Sequence, residues 1–492
     1  IYDDDKNNIE PRFGFAWTPG FTEGFWSKVF GGPGNSSIRG GYGIYHGRIF
    51  QSVFSQGGAG LRFNPPNALA YSQIATLTAN SSPIFNPINL ADPTNGFVFV
   101  PGPQATRHSI TTVDPGLEMP YTQQWNLTIE RQLPFNSALR VSYTGNRGIG
   151  LLRFAQDNLP LHDPVNGVLV ANHPNNPAAL RGQVIRLAAN AECAGTAGTT
   201  AIPFTAQCPV VVPIGALEYS LRVPRTNERR PDGRYSTNLL VSNASWSYYQ
   251  GLQVDWSNRL SKGLNFQAAY TFSKSIDTTS EATFVGAVGD TNQTGNSSRN
   301  ARGLSLFDTR HRFTFYGTYQ LPFFRGRRDF LGQTLGGWQF ATVVRLASGT
   351  PFTVTNSGGG DLNFDGFAET RPVIIDPSIL GRGVDLPATS RTVLPRSAFR
   401  AATLADFANG IVGRNTFFRD GQKVVDIGLT KYFEMPFEGQ RLMVRADLFN
   451  AFNHPWYGTP VGDIQATNFG AITGSNALYT PRVVQIALRY TF

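Results

Sequence analysis

Hydrophobic and polar residues alternate along this chain in runs of about ten, and the last run shows the pattern most plainly. Within residues 481–492, Val484, Ile486, Leu488, Tyr490 and Phe492 share one face of a strand. Val483, Gln485, Ala487, Arg489 and Thr491 share the other, because successive strand side chains point to opposite sides. A strand with one apolar and one polar face, ending on an aromatic residue, fits an outer-membrane barrel whose wall separates lipid from a polar lumen. The same period recurs at 9–17, 38–50, 121–133, 138–153, 245–260, 264–276, 306–321, 338–349, 423–433 and 440–452. In 121–133, for example, Tyr121, Trp125, Leu127 and Ile129 oppose Gln124, Asn126, Thr128 and Glu130. The pattern predicts about eleven strands, most of them near the 9–11 residues that a tilted membrane strand needs.

The connections alternate between short and long. Turns at 134–137, 261–263, 323–337 and 434–439 are short, whereas 51–120, 154–244, a stretch of roughly seventy residues before 423, and 454–480 are long. This asymmetry predicts periplasmic turns at one end and extracellular loops at the other. A β-sandwich would need a second sheet over each apolar face, and a propeller would show a repeat of about 40–50 residues, which is not seen. With Phe492 on the periplasmic side, Trp125, Phe272 and Phe452 fall toward the outer rim and Trp17, Trp338, Phe433 and Phe492 toward the inner one, as aromatic girdles do. Eleven is odd, whereas bacterial single-chain barrels have even strand numbers. An open half barrel would also leave two edges unpaired in lipid. The expectation is an all-β, antiparallel transmembrane barrel of which this chain, 1–492, is the carboxy-terminal half.

Composition narrows the alternatives. Charged residues are only 15% of the chain, Gly numbers 52 and Phe 37, and the mean hydropathy is −0.20. No apolar run reaches the roughly 18 residues of a membrane helix, and the most apolar patch, 208–217, is short and carries two prolines. Helical periodicity is scarce, with a short helix expected only near 397–408. Lys plus Arg exceed Asp plus Glu by 42 − 33 = 9, but these charges are spread thinly and no nucleic-acid-binding signature accompanies them. Cys193 and Cys208 are the two cysteines, and their spacing fits neither a redox CxxC nor a zinc site. They read as a local disulfide of an oxidising compartment or as two unpaired loop thiols. The chain opens without Met or a signal peptide and enters a strand almost at once, so an amino-terminal part is expected upstream.

The side chains that carry chemistry form no catalytic set, and the chain is not expected to be an enzyme. The six His are scattered, without the spacing of a metal-binding helix, and no nucleophile elbow is present. In residues 360–369, Asp361, Asn363 and Asp365 with Gly366 match the first half of a calcium loop, where alternate oxygens converge and Gly permits the turn. Phe367 can add a carbonyl and Glu369 a carboxylate, but Pro372 stands where the twelfth-position Glu belongs. Bound Ca²⁺ and a plain Asx-rich turn both fit; no cofactor is required. Arg39, Arg140, Arg312, Arg345, Arg445 and Arg489 all fall on the polar face. They either make a basic lumen that attracts anionic solutes or dock an acidic plug and pair with neighbours such as Asp447. Five arginines in 222–234 can touch lipopolysaccharide phosphates or a ligand, or form a solvated loop.

Several stretches together resemble the TonB-dependent outer-membrane receptors, in particular the Oar-like branch with a carboxypeptidase-regulatory-like amino-terminal domain. They are 11–17 (PRFGFAW), 37–45 (SIRGGYGIY), 121–126 (YTQQWN), 446–454 (ADLFNAFNH) and 487–492 (ALRYTF). The resemblance implies a 22-stranded barrel of the bacterial outer membrane, plugged by an amino-terminal domain and driven through a TonB box. Neither the plug nor the box is in this sequence. It also implies that the strand ending in Phe492 is read by the outer-membrane insertion machinery. Two functions follow: a receptor that binds a solute on its long outer loops and imports it through the TonB complex, or a surface-binding protein for which the barrel is an anchor. A passive porin would have shorter loops and fewer strands, and no motif names the solute.

Overall fold

The computed structural model describes residues 5–6, 8–49, 110–156, 168–169, 184–185, 208–214, 217–223, 238–261, 263–280, 301–324, 327, 329–357, 371–380, 394–402, 412–435 and 440–492. Eleven strands follow one another in a single meander: β1 Arg12–Trp17, β2 Ser36–His46, β3 Tyr121–Leu133, β4 Ser137–Gln156, β5 Asn238–Ser261 and β6 Leu264–Asp277, then β7 His311–Gln320, β8 Trp338–Ala347, β9 Gln422–Glu434, β10 Arg441–Phe449 and β11 Val483–Thr491. Each pairs antiparallel with the next. Among the described residues the sheet does not close, and β1 and β11 are its two edges.

Register turns the period-two pattern of each strand into two continuous faces. One row reads Trp17, Ile38, Ile129, Val141, Val254, Tyr270, Phe313 and Leu346 across β1 to β8. A parallel row, Tyr319, Phe340, Leu429, Ala446 and Ile486, runs across β7 to β11. Much of this face is exposed, up to 72% for Leu488 and 92% for Phe492. The sheet therefore has no core of its own on this side.

Small residues let the aromatic ones lie flat. The Trp125 ring on β3 covers Gly145 on β4, its register partner, so closely that a Cβ there would come within 2.2 Å of the indole. Gly145→Ala is expected to cost about 1–3 kcal/mol by overpacking and to shift the Trp125 fluorescence; unchanged emission and stability would show that the ring is free to move.

The short turns carry more structure than their sequences promise. Phe135 and Asn136 both take positive φ (63° and 55°) within the three residues that join the paired Leu133 and Ser137, a conformation uncommon for residues other than Gly. Between β1 and β2, α1 Gly24–Phe30 ends on Gly31 at φ 80°, whose N–H bonds the Ser27 carbonyl. Its Trp26 and Phe30 rings stack 5.9 Å apart, and Phe30 also meets Trp17. Between β7 and β8, α2 Phe330–Leu335 is capped by Asp329, whose carboxylate accepts from the Gly332 N–H. Beside it, the Lys431 ammonium donates to the Gly336 carbonyl and sits 5.7 Å from Trp338 and 4.9 Å from Phe433. The short-turn end is thus rich in aromatic rings, as the girdle pattern predicts.

Two departures concern the loops. Residues 110–113, inside a stretch without periodicity, form a strand Ile110–Val113 that pairs parallel with the first residues of β5. β5 begins seven residues before its own alternation does, and those first residues pair with this strand on one side and with the end of β4 on the other. The helix expected near 397–408 is not formed in its described part. Arg396–Ala398 is a single 3₁₀ turn, and Phe399–Arg400 then pairs with Val373–Ile374. Phe399 is drawn into a buried cluster with Phe352, Val354, Ile379, Leu394, Phe417, Ile464 and Phe469, and that burial outweighs local helix propensity. This cluster joins the connection between β8 and β9 to the one between β10 and β11, so two long loops share one hydrophobic core.

Candidate functional site

The face opposite the apolar one carries the charged side chains, and register sets them side by side. Ser37, Glu130, Arg140 and Asp255 are successive partners across β2, β3, β4 and β5. Arg39 Nη2 donates to Glu130 Oε2 at 2.6 Å, and Arg140 Nε lies 3.6 Å from the same oxygen. The Gln267 amide donates to Asp255 Oδ1 at 3.4 Å, and the Tyr316 hydroxyl donates to the Gln267 carbonyl oxygen. Polar contacts therefore join β2 to β4 and β5 to β7, and register sets Arg140 opposite Asp255 where the two runs meet, so that one polar ladder spans six strands. It lines a cavity of about 950 Å³ at the short-turn end of the sheet. The two arginines are about half exposed, so each ion pair contributes only about 0–1 kcal/mol and remains available to exchange partners.

The other arginines of this face divide. Arg345 Nη2 donates to Asp426 Oδ2 at 2.8 Å, and Arg445 Nε to Asp447 Oδ2 at 2.8 Å. Arg312 and Arg489 are exposed, with no carboxylate partner among the described residues.

At the long-loop end, buried polar groups tie the loops to the strand tops. Arg414 inserts beneath the end of β6 and forms a buried ion pair with Asp277, both side chains being no more than 3% exposed. It also donates to the Ala301 carbonyl (3.0 Å), the Ser280 hydroxyl (3.0 Å) and the Asp277 carbonyl (2.8 Å). Ser275 N–H donates to Asp308 Oδ1 at 2.6 Å, and the Ser275 and Ser305 hydroxyls lie 2.8 Å apart.

Asp463 joins the two loops of the shared core. Its carboxylate accepts from the backbone N–H groups of Ser357 and Gln465, each at 3.1 Å, and from the Ser357 hydroxyl. Partial burial opposes its charge, but these donors outweigh that cost and hold its pKa below the usual carboxylate value of 3.8. Its contribution is therefore complete above about pH 4 and is lost as the pH falls through the lower folded value. Proteolysis of these loops is expected to accelerate below about pH 4 in the native protein. Asp463→Asn should show the faster cleavage already at neutral pH, having lost about 1 kcal/mol.

Asp361, Asn363, Asp365, Phe367 and Glu369 lie outside the described residues, as do Cys193 and residues 224–234. Cys208 opens the strand Cys208–Ile214, which pairs with Leu217–Val223 and so carries Arg222. Neither Asp277 nor Arg414 stands out in the sequence: each sits in an ordinary polar stretch, and only the fold brings them together across 137 positions.

Residues 1–485 match the family described as outer membrane beta barrel domain. The chain belongs to that family. As an outer membrane beta-barrel domain it is located in the outer membrane, with its charged ladder on the face of the sheet opposite the apolar one. Among solved structures it is similar to the outer membrane transporter YddB from Escherichia coli (9% identity, TM-score 0.43), covering 99% of this chain and 41% of that one. It is also similar to Pseudomonas aeruginosa FpvA bound to heterologous pyoverdines (9%, 0.38; 99% and 33%). A third is the FrpB iron transporter from Neisseria meningitidis (11%, 0.35; 99% and 39%). The barrel domain thus spans well under half the length of each. No curated protein matches it.

Proposed function

We propose that this barrel domain is part of a solute receptor and transporter of the TonB-dependent, Oar-like kind, capturing its solute on the long loops and passing it along the charged face. The observation that carries the reading is the pairing of two unlike ends on one sheet. Described segments of two long loops share one hydrophobic core at one end, and a ladder of half-exposed, exchangeable ion pairs lines a cavity at the other. Further strands of the full-length protein complete the wall against β1 and β11, since unpaired edges are untenable in lipid. A plug carried by the same protein couples it to the TonB complex and rests on the arginine face. The closing strand of Val484, Ile486, Leu488, Tyr490 and Phe492 is the segment that the insertion machinery reads.

The test is accumulation of labelled iron chelates, oligosaccharides and peptides by cells producing the full-length protein, with and without an uncoupler. Uncoupler-sensitive accumulation that disappears when residues 371–402 are deleted is the expected result. Cells that bind a solute or surface through these loops yet accumulate nothing would make the barrel an anchor for adhesion. The free Arg312 separates the two roles of the basic face. Arg312→Glu should lower uptake of anionic solutes selectively, whereas an equal loss for neutral solutes would assign it to holding the plug.

A further inference from the structure

One cleft belongs to neither the charged ladder nor the loop core. It opens on the lipid side of the sheet, just below the long loops, and measures about 660 Å³. Its floor is the row Tyr270, Phe313 and Leu346 on β6, β7 and β8, and Lys423 continues that row on β9. Lys423 is exposed and has no partner among the described residues. Arg419 and Arg310 overhang the floor from the loops, and each has a buried Nε–H with no acceptor. Asp420 accepts from the Tyr457 N–H at 2.8 Å. Asp308 forms an ion pair with Arg310 Nη2 at 3.7 Å, which leaves the Arg310 Nε–H and the whole of Arg419 and Lys423 without a carboxylate among the described residues. His311 is held against Tyr270, its Nδ1 2.8 Å from the phenol oxygen.

Three cations above an apolar floor, at the level where the strands leave the membrane, form an amphipathic site. Unpaired guanidinium N–H groups are costly when buried, and burial also lowers the pKa of Arg419; an anion would relieve both. Phosphate oxygens suit guanidinium donors in geometry and charge. A dissolved anion would have no use for the aromatic and aliphatic floor. We propose that this cleft holds the phosphate-bearing headgroup of an anionic membrane lipid. Arg310, Arg419 and Lys423 surround its phosphate, and Tyr270, Phe313 and Leu346 lie against the first carbons of its tail. The site is separate from the arginines of 222–234 and independent of whether the barrel transports.

The experiment uses the full-length protein in nanodiscs of phosphatidylcholine with a minor fraction of phosphatidylglycerol, and counts the lipids retained on gentle detergent extraction by native mass spectrometry. The native protein should keep phosphatidylglycerol in preference to phosphatidylcholine. Lys423→Gln, at an exposed position that cannot disturb folding, should reduce that preference roughly fivefold, and Lys423→Gln with Arg419→Gln by more than tenfold, from the attraction expected per cation. Arg312→Gln, on the opposite face, should leave it unchanged. No preference in the native protein, or the same preference in the double variant, would overturn the proposal. Displacement of the retained lipid by millimolar inorganic phosphate would also overturn it, by making the site one for a free anion.

Discussion

Leu488→Arg is expected to destabilise the folded barrel by about 2–4 kcal/mol, the cost of a cation on the lipid side near the bilayer midplane. Leu488 is 72% exposed and pairs with Val444 in the middle of the β10–β11 ladder. In a water-soluble sheet so open a position would tolerate arginine to within about 0.5 kcal/mol. The sign and size of the effect therefore report the solvent, not the packing. Gln485, on the other face of the same strand and opposite Asp447, supplies the control: Gln485→Arg should be near neutral. Urea titration of the full-length protein refolded into phosphocholine vesicles measures both, and an unmoved midpoint for Leu488→Arg would mean that this face does not meet lipid.

Arg414→Met is expected to cost about 3–5 kcal/mol, because it leaves the Asp277 carboxylate buried and unpaired. Arg414 and Asp277 are 2% and 3% exposed, and the guanidinium also bonds the Ala301 and Asp277 carbonyls. The loss should be local. Hydrogen exchange should speed up in 301–310 and 412–420, where the loops are tied to the end of β6, while the β9–β11 ladder keeps its protection. Asp277→Asn with Arg414→Met should recover part of the loss, since no charge is then stranded. Equal protection in the single variant and the native protein would show that the pair is not what holds the loop.

Both experiments probe features of very different legibility. The lipid face of β11 is visible in the sequence because a strand fixes which residues share a side, and lipid makes that side apolar throughout. The same argument finds β3 with its observed limits, 121–133, and every other strand of the meander to within several residues. The start of β5 differs most, where Ile110–Val113 and the end of β4 both pair with it. The helices α1 and α2 escape the pattern because they are held by Gly31 and Asp329 at their ends and not by an apolar stripe. The cluster of Phe352, Phe399, Phe417 and Phe469 escapes it because its members come from irregular segments and share no period.

The candidate site divides in the same way. Alternation places Arg39, Glu130, Arg140 and Asp255 on one side of their strands, but not beside one another. That requires the register, which stacks Glu130 on Arg140 and Arg140 on Asp255. Lys423 likewise reads as a lone exposed cation until the loops bring Arg310 and Arg419 over it.

The sequence by itself determined the strands, their two faces, the contrast of short turns and long loops, and hence a membrane barrel, because each depends on neighbours two residues apart. Only the tertiary structure decided which charges meet, how the loops pack and where a cleft opens beside lipid, because each depends on residues brought together across tens to hundreds of positions.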